Sequence, residues 1–262
     1  MPMTYRGTVA LITGASAGLG VEFAHQWAER GADVVLVARR LDRLEELAEL
    51  LEKRYGVRAT AVAADLALPG AGTGLRAELD ARGITVHTLI NNAGFGSYGP
   101  FAEQDPAQIN QMIQLNITAV AELTRAFLPE MAADGRGALV TVASAAAYQP
   151  TPAMAVYGAS KAFVLSFTEA VAYETRASAL RVLAVSPGAT RTEFFDVAGS
   201  MNAAVGRMAT AQQVVTATRR ALERGKTPPS VVAGLGNRIS TIASSLTPRR
   251  VTLAVSGRLL KA

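Results

Sequence analysis

Thr8-Val9-Ala10-Leu11-Ile12-Thr13-Gly14-Ala15-Ser16-Ala17-Gly18-Leu19-Gly20 is the stretch on which the reading of the fold turns. Its opening residues are apolar and partly β-branched, which predicts a short strand. A glycine-rich turn follows directly, and over residues 19–30 a helical spacing puts Phe23, Ala24, Trp27 and Ala28 on one side. Strand, glycine turn and helix in that order let a backbone approach a pyrophosphate closely and aim free helix N–H groups at its charge. The spacing Gly-x-x-x-Gly-x-Gly differs from Gly-x-Gly-x-x-Gly, so a plain glycine loop stands as the alternative until the rest of the chain is read.

Working outward, Asp33-Val34-Val35-Leu36-Val37-Ala38 predicts a second strand that ends at Arg39-Arg40. An acid at this point would hold the ribose 2′-hydroxyl of NAD, whereas a cation accommodates the 2′-phosphate of NADP, so Arg39 and Arg40 favour NADP(H) over NAD(H). In the plainer reading these arginines and Arg43 are solvated charges opening a helix over 41–55, paired with Glu45 and Glu46. Residues 57–63 predict a third strand, closing at Asp65-Leu66, and Thr88-Leu89-Ile90 a fourth, ending in Asn91-Asn92-Ala93-Gly94. Ala138-Leu139-Val140-Thr141-Val142-Ala143 is a strand-like run ending at Ser144. Residues 180–186 form a sixth strand, which ends in Pro187-Gly188 with Thr190 and Thr192 beyond. Helices are expected up to Ala81, over 105–131 with a break near Leu115, over 154–177 and over 212–224; residues 228–232 carry prolines and read as an edge strand. This alternation predicts an α/β fold, a doubly wound parallel sheet with helices on both faces and a ligand across the carboxyl ends of its strands.

Composition narrows the classes. A chain of 262 residues, 50% hydrophobic and 18% charged, buries a full core as one domain, and 6% aromatic content suits helix-on-sheet packing. The absence of cysteine excludes disulfides and thiolate chemistry, and His25 and His87 stand in no ligand spacing, so no metal site is expected and both histidines read as structural or surface residues. No apolar run reaches the ~18 residues of a membrane span, and the N-terminus lacks a secretory layout, which predicts a cytoplasmic chain starting near Met1. The net charge of +5 is unevenly placed: beyond Glu223 there is no acid, while Arg224, Lys226, Arg238, Arg249, Arg250, Arg258 and Lys261 add +7 and leave residues 1–223 at −2. The basicity therefore belongs to a tail and does not make a nucleic-acid surface.

Tyr157-Gly158-Ala159-Ser160-Lys161 carries the chemistry. On a helix this spacing sets the phenol and the ammonium one turn apart on one face. A tyrosine near its ordinary pKa of ~10 is a poor acid and base at neutral pH, and a cation within ~4–6 Å pulls that value down. Ser144 is placed to hold a substrate oxygen beside the phenol. Together they form a device for moving a proton to or from a carbonyl or alcohol oxygen. Asn116, an amide in the apolar text Leu115-Asn116-Ile117, reads either as a structural hydrogen-bond hub or as a residue that holds water in the site.

Taken in order, the glycine turn, Asp65-Leu66, Asn91-Asn92-Ala93-Gly94, Asn116, Ser144, Tyr157-x-x-x-Lys161 and Pro187-Gly188 with Thr192 make the chain resemble the short-chain dehydrogenase/reductase family over residues 5–235. The resemblance implies a Rossmann-type sheet of about seven strands in one dinucleotide-binding and catalytic domain (1–235); by their own pattern, residues 236–262 read as a basic amphipathic extension packed on it. The same resemblance implies an NAD(P)-dependent oxidation or reduction of a small-molecule alcohol or carbonyl, by a homodimer or homotetramer. Carried over, Tyr157 is the general acid and base, Lys161 lowers its pKa and binds the nicotinamide ribose, Ser144 holds the substrate oxygen, and Asn116 fixes a water that relays protons to Lys161. The cofactor rests on Gly14, Ser16, Gly18 and Leu19, with Asp65 and Leu66 by the adenine, and Asn92, Ala93 and Gly94 near its ribose. Pro187, Gly188, Thr190 and Thr192 close the nicotinamide side. A basic residue after the second strand, here Arg39, goes with NADP.

Phe194, Phe195, Val197, Met201 and Met208 in the irregular segment after Gly188, with Phe95, Tyr98 and Phe101, either present an apolar substrate surface or simply pack a lid on the body. The tail over 234–262 is either a flap or oligomer contact on the protein itself, which is favoured, or an amphipathic helix pair on an anionic membrane surface. The rival to an enzyme is a catalytically idle NADP-binding regulator on the same fold; the full set Asn116, Ser144, Tyr157 and Lys161 favours the enzyme.

Overall fold

The computed structural model describes residues 3–260; Met1 and Lys261, named above, lie outside the described residues. Seven parallel strands form one sheet in the order β3-β2-β1-β4-β5-β6-β7: β1 Val9–Thr13, β2 Asp33–Ala38, β3 Ala59–Ala63, β4 Thr88–Asn91, β5 Ala138–Val142, β6 Arg181–Ser186 and β7 Ser230–Val232. The doubly wound parallel sheet expected from the alternation is present, and β7 takes the edge position its prolines call for. Order reverses between β1 and β4, which opens a crevice at their carboxyl ends.

Alternation along the strands divides the core in two. Ala10 and Ile12 of β1, with Val34 and Leu36 of β2, pack against Phe23 and Trp27 of α1 (Gly18–Ala28), Leu44 and Leu51 of α2 (Leu41–Tyr55) and, farther along the chain, Val215 and Leu222 in the helix Ala211–Leu222. Leu11, Val35 and Val37 face the other way, onto Leu75 and Leu79 of α3 (Ala71–Ala81) and Leu123, Phe127 and Met131 in the helix Ala119–Asp134. Each such fully buried large side chain contributes about 1.5–3 kcal/mol.

The long helix expected over 105–131 is a composite. Asp105 caps α4 (Pro106–Ile113) by accepting from Ala107 N at 2.9 Å, with Pro106 in the first turn. A π-helical turn, Gln114–Thr118, then widens the path before α5 (Ala119–Asp134), which accounts for the break expected near Leu115. β3 starts later than residue 57. Gly56 ends α2 in the left-handed region at φ 68°, and Asp33 takes both the backbone N (2.8 Å) and the Nε (3.0 Å) of Arg58, so this stretch is held by a side chain before the ladder begins.

Beyond β5 come α6 (Ala155–Glu174), the short α7 (Phe194–Ala198), α8 (Ala211–Leu222), α9 (Leu235–Leu246) and α10 (Arg249–Leu259). The last two are amphipathic in an inverted sense. Thr241, Thr252, Ser256 and Leu260 are buried against the body, while Leu235, Ile239, Ile242, Leu246, Val251, Val255 and Leu259 stand about half exposed or more. No helix among the described residues is long and apolar enough to cross a membrane.

Candidate active site

The first strand delivers its glycine turn to the crevice. Thr13 Oγ1 accepts from the backbone N of Asn92 and of Ala93, both at 3.0 Å, and Asn92 Nδ2 donates to Thr13 O at 2.8 Å, so β1 and β4 are clamped together where they diverge. Gly14 is required on two grounds: its φ is +67°, and a Cβ there would lie 2.9 Å from Asn92 Nδ2. Gly18, at φ +55°, leaves room for Thr192, whose side chain would stand 2.9 Å from an added Cβ. The first turn of α1 carries no side-chain cap and no acid, so its N–H groups stay available to an anion.

A cavity of about 650 Å³ runs from this turn along the strand ends. Gly14, Ser16, Gly18, Leu19, Arg39, Arg40, Asp65, Leu66, Asn92, Ala93, Gly94, Ser144, Tyr157, Lys161, Pro187, Gly188, Thr190 and Thr192 all line it. The two arginines after β2 differ. Arg39 is exposed and has no ion pair among the described residues, whereas Arg40 donates from Nη2 and Nε to Ser16 Oγ at 3.0 and 3.2 Å and from Nη1 to Glu193 Oε2 at 3.0 Å. The glycine turn, the free N–H groups and the cations at the end of β2 fit a dinucleotide.

At the other end, Tyr157 and Lys161 project from α6 into the same cavity, with the ammonium 5.9 Å from the phenol ring centre. Ser144 follows β5 and starts a 3-10 turn; its Oγ accepts from Ala146 N at 3.1 Å, which fixes the hydroxyl, and it hydrogen-bonds the phenol. The electrostatics correct one expectation. Among the groups of this chain Lys161 does not pull the phenol down: desolvation raises the Tyr157 pKa, and only the hydrogen bond from Ser144 works against that rise. Lys161 is 6% exposed and donates to Val142 O at 2.8 Å, and burial lowers its own pKa to about 8.

Asn116 is set apart from the cavity wall. On the π-helical turn, fully buried, its Oδ1 accepts from Phe95 N (3.1 Å) and its Nδ2 donates to Phe95 O (2.9 Å) and Ser160 Oγ (3.0 Å). Ser160 Oγ in turn donates to Tyr157 O at 2.7 Å. Of the two readings open for this amide, the geometry is that of a hub, which fastens the β4 loop to the helix bearing Tyr157.

Phe194 of the lid stacks obliquely on Tyr157, with ring centres 5.2 Å apart. Phe95, Met154, Phe195, Val197 and Val205 continue an apolar wall. Sequence reasoning missed the rest of that wall. Asn237, Ser240 and Thr241 of α9, Ser256 and Leu259 of α10, and Leu260 just beyond it also line the cavity. Tyr98 OH donates to Leu260 O, Ser244 Oγ to Tyr148 O at 3.3 Å, and the Asn237 amide sits where a side chain on Gly188 would project. Segregated cations and apolar residues marked the tail as amphipathic, but nothing in that pattern says that its small polar face is the inner one. His87 is structural: its Nδ1 accepts from Val9 N at 3.1 Å, and burial lowers its pKa.

The family model described as short chain dehydrogenase matches residues 8–203. Sulfoacetaldehyde reductase 2 of Chromohalobacter salexigens is 38% identical over 188 residues, covering 71% of this chain and 74% of that protein. Very-long-chain 3-oxoacyl-CoA reductase-B of Danio rerio is 32% identical over 189 residues, 69% of this chain but only 59% of that longer relative. A short-chain dehydrogenase from Sphingobium yanoikuyae, solved in complex with NADPH, superposes with a TM-score of 0.79 at 34% identity and covers 94% of this chain and 95% of its own. The strand order, the glycine turn at the switch point and these matches have one explanation: the chain belongs to the short-chain dehydrogenase family of oxidoreductases, which act on carbonyl and alcohol groups.

Proposed function

We propose that the chain is an NADP(H)-dependent oxidoreductase that interconverts a rather apolar carbonyl compound and its alcohol, with Tyr157 as the general acid and base. The observation that carries this reading is the convergence of Tyr157, Ser144 and Lys161 on one cavity whose other end is the glycine turn. A bound nicotinamide cofactor supplies or accepts the hydride. Ser144 orients the substrate oxygen against the phenol. Burial raises its pKa, so Tyr157 stands protonated at neutral pH, ready to donate to a carbonyl oxygen. Lys161, buried one turn farther along and with a pKa of about 8, returns a proton to the site after each transfer. Asn116 keeps Phe95 and the Tyr157 turn in register.

On the cofactor, Gly14, Ser16, Gly18 and Leu19 hold the diphosphate, Asp65 and Leu66 the adenine, and Asn92, Ala93 and Gly94 the ribose. Pro187, Gly188, Thr190 and Thr192 close the nicotinamide side. Arg39 takes the 2′-phosphate, being the cation at the end of β2 without a partner among the described residues. Lining by Phe95, Met154, Phe194, Phe195, Leu259 and Leu260 supports an apolar substrate. The names of the relatives span sulfoacetaldehyde and very-long-chain 3-oxoacyl-CoA, so they transfer no substrate. The test is cofactor oxidation against a panel of aldehydes and ketones: NADPH turnover with an apolar ketone, lost in Tyr157→Phe, is expected. Cofactor binding with no turnover by either protein would make the chain a binding regulator.

The outward apolar faces of α9 and α10 favour a second copy of this cytoplasmic chain as their cover, which makes a homodimer or homotetramer the working assembly. Exposed Arg238, Arg249, Arg250 and Arg258, without ion pairs among the described residues, also fit an anionic membrane surface. Light scattering of the chain alone and flotation with anionic vesicles separate the two.

A further inference from the structure

Glu193 opens the lid, directly before α7, and reaches across the mouth of the cofactor end of the cavity. Its two carboxylate oxygens are divided between two cations: Oε2 accepts from Arg40 Nη1 at 3.0 Å and Oε1 from Arg43 Nη1 at 2.8 Å. Arg40 also donates from Nε and Nη2 to Ser16, in the glycine turn. The bridge therefore joins the glycine turn, the first turn of α2 and the lid through one carboxylate.

Resting on the NADP reading above, we propose that Glu193 is a specificity-determining residue: its carboxylate holds Arg40 and Arg43 in competition with the 2′-phosphate and so moderates the preference for NADP(H) over NAD(H). Three cations, Arg39, Arg40 and Arg43, surround this corner, and Glu193 cancels one of their charges. Removing the carboxylate makes the corner that a dianionic phosphate meets one unit more positive. Arg40, moreover, can give a full donor set to a phosphate only by leaving Glu193. A cofactor with a 2′-hydroxyl brings no charge to this corner and does not compete with the carboxylate for the arginines, and the amide of Glu193→Gln still offers that hydroxyl an acceptor. Competition by an anion already in place lowers the apparent affinity of the arriving one without touching the diphosphate or nicotinamide subsites.

Equilibrium titration of NADPH and of NADH with the full chain and with Glu193→Gln tests this. The side chains are 41% (Arg40), 44% (Arg43) and 46% (Glu193) exposed, so screening limits the effect. Glu193→Gln is expected to tighten NADPH about 2- to 5-fold, the range of a solvent-screened ion pair, and to leave NADH unchanged. Added salt shrinks the difference. Arg43→Gln leaves Glu193 to Arg40 alone and is expected to weaken NADPH. A preference for NADPH that stays the same in Glu193→Gln overturns the inference alone. Equal binding of both cofactors by the unaltered chain overturns the NADP reading and the inference with it.

Discussion

Replacing Lys161 with methionine removes a buried cation whose cost the structure makes calculable. Its pKa falls from the ordinary 10.5 to about 8, and at ~1.36 kcal/mol per tenfold change this is about 3 kcal/mol of desolvation at neutral pH. The substitution keeps most of the volume but orphans Val142 O, which costs about 1 kcal/mol. Lys161→Met therefore stabilises the chain by about 2 kcal/mol at pH 7, or about 4–8 °C in Tm at ~2–4 °C per kcal/mol for a chain of this size. The pH profile carries the sharper signature. Below about 8 the lysine is protonated folded and unfolded, and the full penalty applies. Between about 8 and 10.5 the unfolded chain holds a proton that the folded chain has lost, so the stability of the unaltered protein rises with pH relative to the variant. The advantage of Lys161→Met fades across that window and is gone above it. Thermal unfolding of both proteins from pH 7 to 10 measures this, alongside the loss of turnover in the variant. A less stable variant at pH 7, or parallel profiles, would refute a desolvated Lys161.

Other outcomes follow from the same contacts. Gly14→Ala puts a Cβ 2.9 Å from Asn92 at a left-handed position, and titration should show at least a tenfold loss of cofactor binding with the fold intact by circular dichroism. Asn116→Ala leaves the Phe95 N–H and C=O without their partner, which should cost about 2–3 kcal/mol in denaturant unfolding and lower kcat by loosening Tyr157. Because the Tyr157 pKa is raised, carbonyl reduction should hold its rate from pH 6 to 8 while alcohol oxidation climbs with pH. Ser256→Phe, projecting from α10 into the cavity wall, should raise KM for bulky ketones more than for small ones; equal changes would remove the tail from the substrate site.

What was legible in the sequence is what backbone geometry dictates. Apolar runs such as Val9–Thr13 and Ala138–Val142 announce strands, Gly14 and Gly18 stand at positive φ, and the residues after each strand collect at one edge because the sheet is parallel. Side-chain direction was not legible. Asn116 was singled out as an amide in apolar text, but a π-helical turn decides that it faces Phe95 and Ser160 instead of the cavity. The charge effect assigned to Lys161 was read from spacing, whereas burial, invisible to spacing, dominates both it and Tyr157. Glu193 and the α9–α10 wall are contacts between segments roughly 50 to 160 residues apart in the chain, joined only by the fold.

Isotope transfer tests the hydride and proton roles most directly. With NADPH deuterated at the reactive nicotinamide carbon and an apolar ketone, mass spectrometry of the alcohol should find one deuterium on the carbinol carbon, and Tyr157→Phe should form almost none of that product. Product alcohol without the label, or labelled product formed equally well without the phenol, would contradict it.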